Sequence, residues 1–166
     1  MNAYLELMST LNYRRCKRHG DSELSDMEVI SSQSSLMEAG SLTFHAIQVG
    51  ELSVILTGLV ALAYTALDIL ALKNVAIVED ANAKSNDYIM IAIMRRLTQK
   101  IADCSSGNPT DYLTLFNYCR HLARDFINAD FDNALIVYHH WRVSQPNATL
   151  VNWKNSLPDL ADCLFE

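Results

Sequence analysis

Carboxylates are the residues of this chain best suited to chemistry. A magnesium site in a helical protein needs acids three or four residues apart on facing helices, because the hard ion takes several oxygen ligands while keeping part of its water. The candidates are Glu38, Asp68 and Glu79. Glu38 falls in a helical segment before Gly50, Asp68 in an apolar run after it, and Glu79 beside Asp80 in a predicted connection, so each is isolated from the others. Asp130 and Asp132 read as helix caps. The spacing assembles no four-carboxylate cluster from the first four predicted helices, and on that basis no metal or other cofactor is expected.

Histidine and cysteine offer less. His139 and His140 are adjacent, so on a helix they point about 100° apart and cannot chelate one ion together. One is expected to pack and the other to be solvated. Cys119 and His121, two apart, face away from each other on a helix, which argues against a nucleophile and base pair. Cys16, Cys104, Cys119 and Cys163 form no C-x-x-C pair and read as reduced thiols rather than zinc ligands or a redox couple. The glycines are scattered, with neither G-x-x-x-x-G-K nor G-x-G-x-x-G, and there is no G-x-S-x-G or H-E-x-x-H.

The elements that must position these residues are helices. The chain has 166 residues, 50% of them apolar, enough to bury a core without disulfides or metals. Tyr4, Leu7, Met8 and Leu11 make a first helical stripe, ended by Gly20. Ser25 and Glu28 have capping-box spacing, so a second helix starts near Asp26 and runs through Leu36, Met37, Phe44 and Ile47 to Gly50. A core helix follows from about Glu51 to Leu72, closed by Lys73-Asn74 and packed antiparallel to the second. Asn74 to Lys84 is a connection. Ser85-Asn86-Asp87 caps a fourth helix with Ile89, Ile93, Leu97 and Ile101, joined by Met90 and Met94, along one stripe.

Ser105-Ser106-Gly107-Asn108-Pro109 is the clearest breaker, with Thr110 as the next cap. Beyond it Leu115, Phe116, Cys119, Leu122, Ala123 and Phe126 form one helical face. Asp130 starts a helix carrying Leu135, Tyr138 and Trp141 that Pro146 ends, and Pro158 opens a short last helix. The organisation expected is an all-α antiparallel bundle of about four helices over 1–104, with a helical extension over 105–166 packed on the same domain.

Charge and hydropathy bound the partners. A formal charge of −6, from 19 acidic against 13 basic residues, argues against nucleic acid, whose phosphates need surplus Lys and Arg. The basic run Arg14 to His19 ends the first helical segment, where cations complement the helix dipole. The N-terminal Met-Asn-Ala-Tyr-Leu-Glu-Leu lacks the basic and apolar regions of a secretory signal, which predicts a cytoplasmic protein. Leu52 to Leu72 is long enough to cross a bilayer. Asp68, Ser53, Thr57 and Thr65 within it, its alanines and its lack of a basic flank or aromatic belt favour a bundle-core helix, with no membrane partner.

Residues 25–75 carry a resemblance. Leu36-Met37-Glu38-Ala39-Gly40-Ser41-Leu42, then Gly50-Glu51-Leu52, then Gly58-Leu59-Val60-Ala61-Leu62-Ala63-Tyr64 resemble the MazG-like all-α nucleoside triphosphate pyrophosphohydrolases. Those proteins have an E-E-x-x-E helix, a Gly-Asp-Leu turn and a second helix reading E-x-x-D-x-x-x-D-x-x-Y. With Gly50 on the turn and Tyr64 on the tyrosine, no gap is needed and the hydrophobic frame fits. The family's acids then fall on Ala39 and Leu42 in the first helix and on Val54, Thr57 and Ala61 in the second, leaving Glu38 alone acidic.

The resemblance implies the fold, and a Mg²⁺ site that orients a triphosphate, here stripped of most of its ligands. The leading expectation is therefore a non-catalytic binding or interaction domain derived from a nucleotide pyrophosphohydrolase, completed as a homodimer across a two-fold axis. A second is an active Mg²⁺-dependent hydrolase that takes a nucleotide and holds the metal through Glu38 with Asp68 or Glu79. A third is a helical adaptor, which requires Phe116, Phe126, Tyr138 and Trp141 to form an exposed aromatic patch.

Overall fold

The computed structural model describes residues 3–12, 23–78, 89–150 and 156–165. Glu79, its neighbour Asp80, the expected caps Ser85-Asn86-Asp87, Gly20, Cys16 and the basic run Arg14 to His19 lie outside the described residues. Among the described residues there are six α-helices: α1 (Ala3–Asn12), α2 (Asp26–Val49), α3 (Leu52–Leu72), α4 (Met90–Asp103), α5 (Pro109–His121) and α6 (Phe131–Ser144). Among the described residues the only β pairing is an isolated antiparallel bridge between Ala129 and Leu164.

Local chemistry sets both ends of α2. The Ser25 hydroxyl accepts the Glu28 N–H at 3.3 Å, and the Ser25 N–H donates to Glu28 Oε2 at 2.8 Å, so two orphan donors are satisfied reciprocally. Gly50, at φ 84°, takes the left-handed conformation that closes the helix and donates its N–H to Ala46 O at 2.8 Å. With only Gly50 and Glu51 between them, α2 and α3 run antiparallel: Thr43 meets Gly58 near the turn, while Glu38 shares a cavity with Thr65 and Asp68 further along.

The approach at Gly58 is close. A Cβ there would lie 2.2 Å from Thr43 Oγ1 and 2.9 Å from Thr43 Cα, so only glycine fits. Thr43 is itself fully buried, its hydroxyl satisfied by donating to Ala39 O at 2.8 Å.

Helix α3 is the centre of the molecule, contacted by α1, α2, α5 and α6. By length and composition it could cross a membrane, yet 78% of its most apolar window is buried within the protein. A helix apolar all round needs cover on every side, and these neighbours provide it.

One hydrophobic cluster runs through both parts of the chain, joining Leu56, Leu59 and Leu70 to Tyr112, Phe116, Phe131 and Leu160. Phe116 is its aromatic hub, edge-on to Tyr4 at 5.4 Å and to Phe131 at 5.8 Å.

Several local expectations are corrected. Ile89 and Met90 are exposed, because the packed stripe of α4 begins only at Ile93 and continues through Leu97 and Ile101. The cap of α5 is Asn108 rather than Thr110: Pro109 has no N–H and suits the first helical position, which leaves Asn108 Oδ1 to accept the Thr110 N–H at 3.0 Å. Asp130 does cap α6, accepting from the Asn133 N–H at 3.1 Å. Asp132 does not cap; it takes the Arg124 Nη2 donor at 2.7 Å and the Tyr4 hydroxyl, tying α1 to α6.

Helix α5 runs into a π-helical turn, Leu122–Phe126, before Asn128 reverses the chain at φ 59°. After Pro158 there is only a 3₁₀ turn, Ala161–Cys163. The flanking tail backbone is spent on the 128–130 segment, through Asp130 N–H to Cys163 O at 2.8 Å and Phe165 N–H to Asn128 O at 2.9 Å.

Candidate functional site

A cavity of about 350 Å³ opens between α2, α3, α6 and the segment that follows α6. From α2 it takes Ser35 and Glu38, three apart and so on one face. From α3 it takes Tyr64, Thr65 and Asp68, and from α6 Tyr138 and Arg142, which are four apart. Pro146, Ala148 and Leu150 close the rim. Glu38 and Asp68, isolated in the sequence, are thus brought to one site by the antiparallel packing of their helices.

The rim is fastened by charged groups. The Leu150 N–H donates to Glu38 Oε1, and Arg142 Nη1 donates to Ala148 O at 2.5 Å. Both are charge-assisted bonds to backbone, which hold the segment after Pro146 over the cavity.

The floor is aromatic. Tyr64 and Tyr138 meet edge to face with centroids 5.2 Å apart, and Tyr138 leans on Trp141 at 5.3 Å. Tyr64 Oη lies 3.1 Å from His139 Nδ1. Burial first, and His140 second, hold the His139 imidazole below its ordinary pKa, so its neutral form can accept the tyrosine proton at Nδ1. His139 is buried and His140 exposed, as their adjacency on a helix requires.

Among the described residues, Tyr138 differs from Tyr64 in having no hydrogen bond for its hydroxyl. Only 3% of the residue is exposed, and the hydroxyl is not sealed from solvent. Burial raises its pKa to about 12, with Arg142 lowering it and Glu38 raising it, so it stays a protonated donor.

The positions that align with the family's acids lie elsewhere. Ala39, Leu42, Thr57 and Ala61 are all buried, between 1% and 4% exposed, and Val54 is half-buried against the core. The one oxygen among their side chains, Thr57 Oγ1, is spent on Ser53 O within its own helix at 2.9 Å. This interface does not fit a Mg²⁺ ion, which requires several oxygens converging on one point. Among the described residues, no group of three or more His, Cys, Asp or Glu could hold a metal ion.

The aromatic patch expected of an adaptor is not formed. Phe116, Tyr138 and Trp141 are buried at 0%, 3% and 9% exposed, and Phe126 is half-buried, because these rings face α3 and one another rather than solvent. The thiols of Cys104, Cys119 and Cys163 are buried and free, and burial raises the pKa of each, Cys104 to about 12, so none supplies a thiolate. His121 pairs with Asp125 at 2.7 Å, one turn along.

Comparison of the chain with protein-family models, with curated proteins and with solved structures gives no match. The resemblance over residues 25–75 therefore rests on its own residues.

Sequence reasoning named Glu38 and Asp68 but missed Arg142, Thr65 and the free hydroxyl of Tyr138. One signal was available: Tyr138 and Arg142 are four apart on a helix that Asp130 caps, so they had to share a face.

A second concavity, about 760 Å³, lies between α2 and α4 and is lined by Met37, Gly40, Phe44 and Ile101 among others. Beside it the outer face of α2 exposes Met27, Ile30 and Met37.

Proposed function

We propose that this chain is a non-catalytic, MazG-like helical domain that binds a small ligand in the cavity between α2, α3 and α6. One observation carries the reading. Where the family's metal-binding acids align, the α2/α3 interface is closed hydrocarbon, whereas an open cavity with polar and charged walls lies beside it. The tight α2–α3 turn at Gly50 and the close antiparallel contact at Gly58 are consistent with the helical pair that the resemblance implies. Glu38 is tied to the Leu150 backbone, which removes one of its oxygens from any metal.

Titration calorimetry with Mg²⁺ and Mn²⁺ tests this. The expected result is no stoichiometric binding by the intact protein. Tight one-to-one metal binding that disappears in Glu38→Ala, together with pyrophosphate release from nucleoside triphosphates, would establish the Mg²⁺-dependent hydrolase instead.

The exposed face of α2 supports a homodimer. Met27, Ile30, Ser34, Met37, Ser41, Phe44 and Gln48 recur at alternating three- and four-residue steps, the spacing of a helix-pairing seam. All are exposed except the half-buried Phe44. A two-fold axis through Met37 sets Ile30 against Phe44 and Ser34 against Ser41, large against large and small against small, as an isologous interface requires. Sedimentation should give a dimer for the natural chain and a monomer for Met37→Glu; a natural chain that stays monomeric at micromolar concentration refutes the pairing.

A further inference from the structure

The charged walls of the α2/α3/α6 cavity are arranged by sign. Helix α6 contributes two donors and no negative charge, the Tyr138 hydroxyl and the Arg142 guanidinium, on one face. Helices α2 and α3 contribute the two carboxylates, Glu38 and Asp68. Glu38 and Arg142 line one cavity without forming an ion pair; each is instead satisfied in part by a rim backbone group, Leu150 N–H and Ala148 O. Glu38 Oε2 makes no hydrogen bond among the described residues.

A second observation points to a ligand. Tyr138, with 97% of its surface covered, keeps a hydroxyl that no group among the described residues accepts from and that reaches the cavity. Where it opens on the cavity this hydroxyl can donate only to solvent, and a bound acceptor would take that bond in place of water.

We infer that the cavity takes a small zwitterion of the α-amino-acid type, its carboxylate on Tyr138 and Arg142 and its ammonium on Glu38 Oε2, on the wall that Asp68 shares. The inference deepens the binding reading above and rests on it. A simple amine would meet the carboxylates but leave the guanidinium facing a like charge. A simple anion would do the reverse, and a nucleotide triphosphate would bring its phosphates against both acids. A ligand carrying both charges suits both walls, and a cavity of about 350 Å³ holds one of amino-acid size.

Calorimetry on the full chain with each proteinogenic L-amino acid is the test, followed by two analogues of the best binder, one lacking the carboxylate and one lacking the ammonium. At least one amino acid binds, and both analogues bind at least about tenfold more weakly, the size of one lost charge-assisted hydrogen bond. Tyr138→Phe, which removes one oxygen that the free protein leaves unpaired, weakens binding about tenfold while the melting temperature holds or rises. Equal binding of the decarboxylated amine overturns the zwitterion and leaves a plain cation site. Binding of adenosine but of no amino acid, sensitive to Tyr138→Phe, also overturns it while keeping the cavity as a binding site. Failure of every probe to bind overturns both the inference and the cavity's assignment.

Discussion

Gly58→Ala is expected to destabilise the protein by about 3 kcal/mol, the upper part of the range for overpacking a filled interior. For a chain of this size that is a fall in melting temperature of roughly 6–12 °C. Alanine favours a helix over glycine by about 1 kcal/mol, so propensity alone predicts the opposite sign. Sterics decide. The new methyl would sit 2.2 Å from Thr43 Oγ1, 3.0 Å from Thr43 Cβ and 2.9 Å from Thr43 Cα. The hydroxyl cannot swing away freely, because it is buried and bonded to Ala39 O. Truncating the partner gives limited relief, since Thr43→Ala leaves the Cβ and Cα in place. The double variant Gly58→Ala with Thr43→Ala should therefore recover only part of the loss. Thermal melts followed by circular dichroism settle the point, and an unchanged or raised midpoint for Gly58→Ala would mean that α2 and α3 do not touch there.

The contact at Gly58 marks the limit of what the sequence discloses. Elements set by neighbours in the chain were legible: the Ser25 and Glu28 capping box, Gly50 as a left-handed stop, and a long, mostly apolar stretch that belongs at the centre of a bundle. Signals failed where two local rules competed. Thr110 is a sound cap by composition, but the constraint on Pro109 outranks it and shifts the cap to Asn108. The π-helical turn at Leu122–Phe126 has no residue pattern that marks it.

The cavity was legible only in pieces. Glu38 and Asp68 stand out as acids in apolar helices, but 30 residues separate them, and Arg142 lies 104 residues beyond Glu38. Their meeting depends on the antiparallel return of α3 and on α6 packing against it, both of which are tertiary. A free hydroxyl is less visible still. Tyr64 and Tyr138 are chemically identical, and only their surroundings give one a histidine partner and leave the other with none among the described residues.

Residues 1–104 expressed alone are expected not to fold to a cooperative, soluble domain, although the breaker at Ser105 to Pro109 resembles a boundary. Helix α5 lies along α3, and its removal together with α6 would uncover the most apolar helix in the chain. Leu115, Phe116, Leu122 and Phe131 are each no more than 2% exposed and belong to the same cluster as α3. At about 1.5–3 kcal/mol for each such side chain, their loss alone comes to roughly 6–12 kcal/mol. That matches the whole stability of a typical domain, about 5–15 kcal/mol. The truncated chain should aggregate or require detergent, with near-ultraviolet dichroism absent and no sharp thermal transition. A soluble fragment melting cooperatively near the full-length midpoint would show that α1 to α4 bury α3 by themselves. The breaker would then divide two independent units, and the cover provided by α5 and α6 would be incidental to the fold. The difference bears on function, because Tyr138 and Arg142 of the proposed ligand site lie in the part removed. If the extension is integral to the core, the cavity is fixed by folding; if it is separable, the cavity can open and close with it.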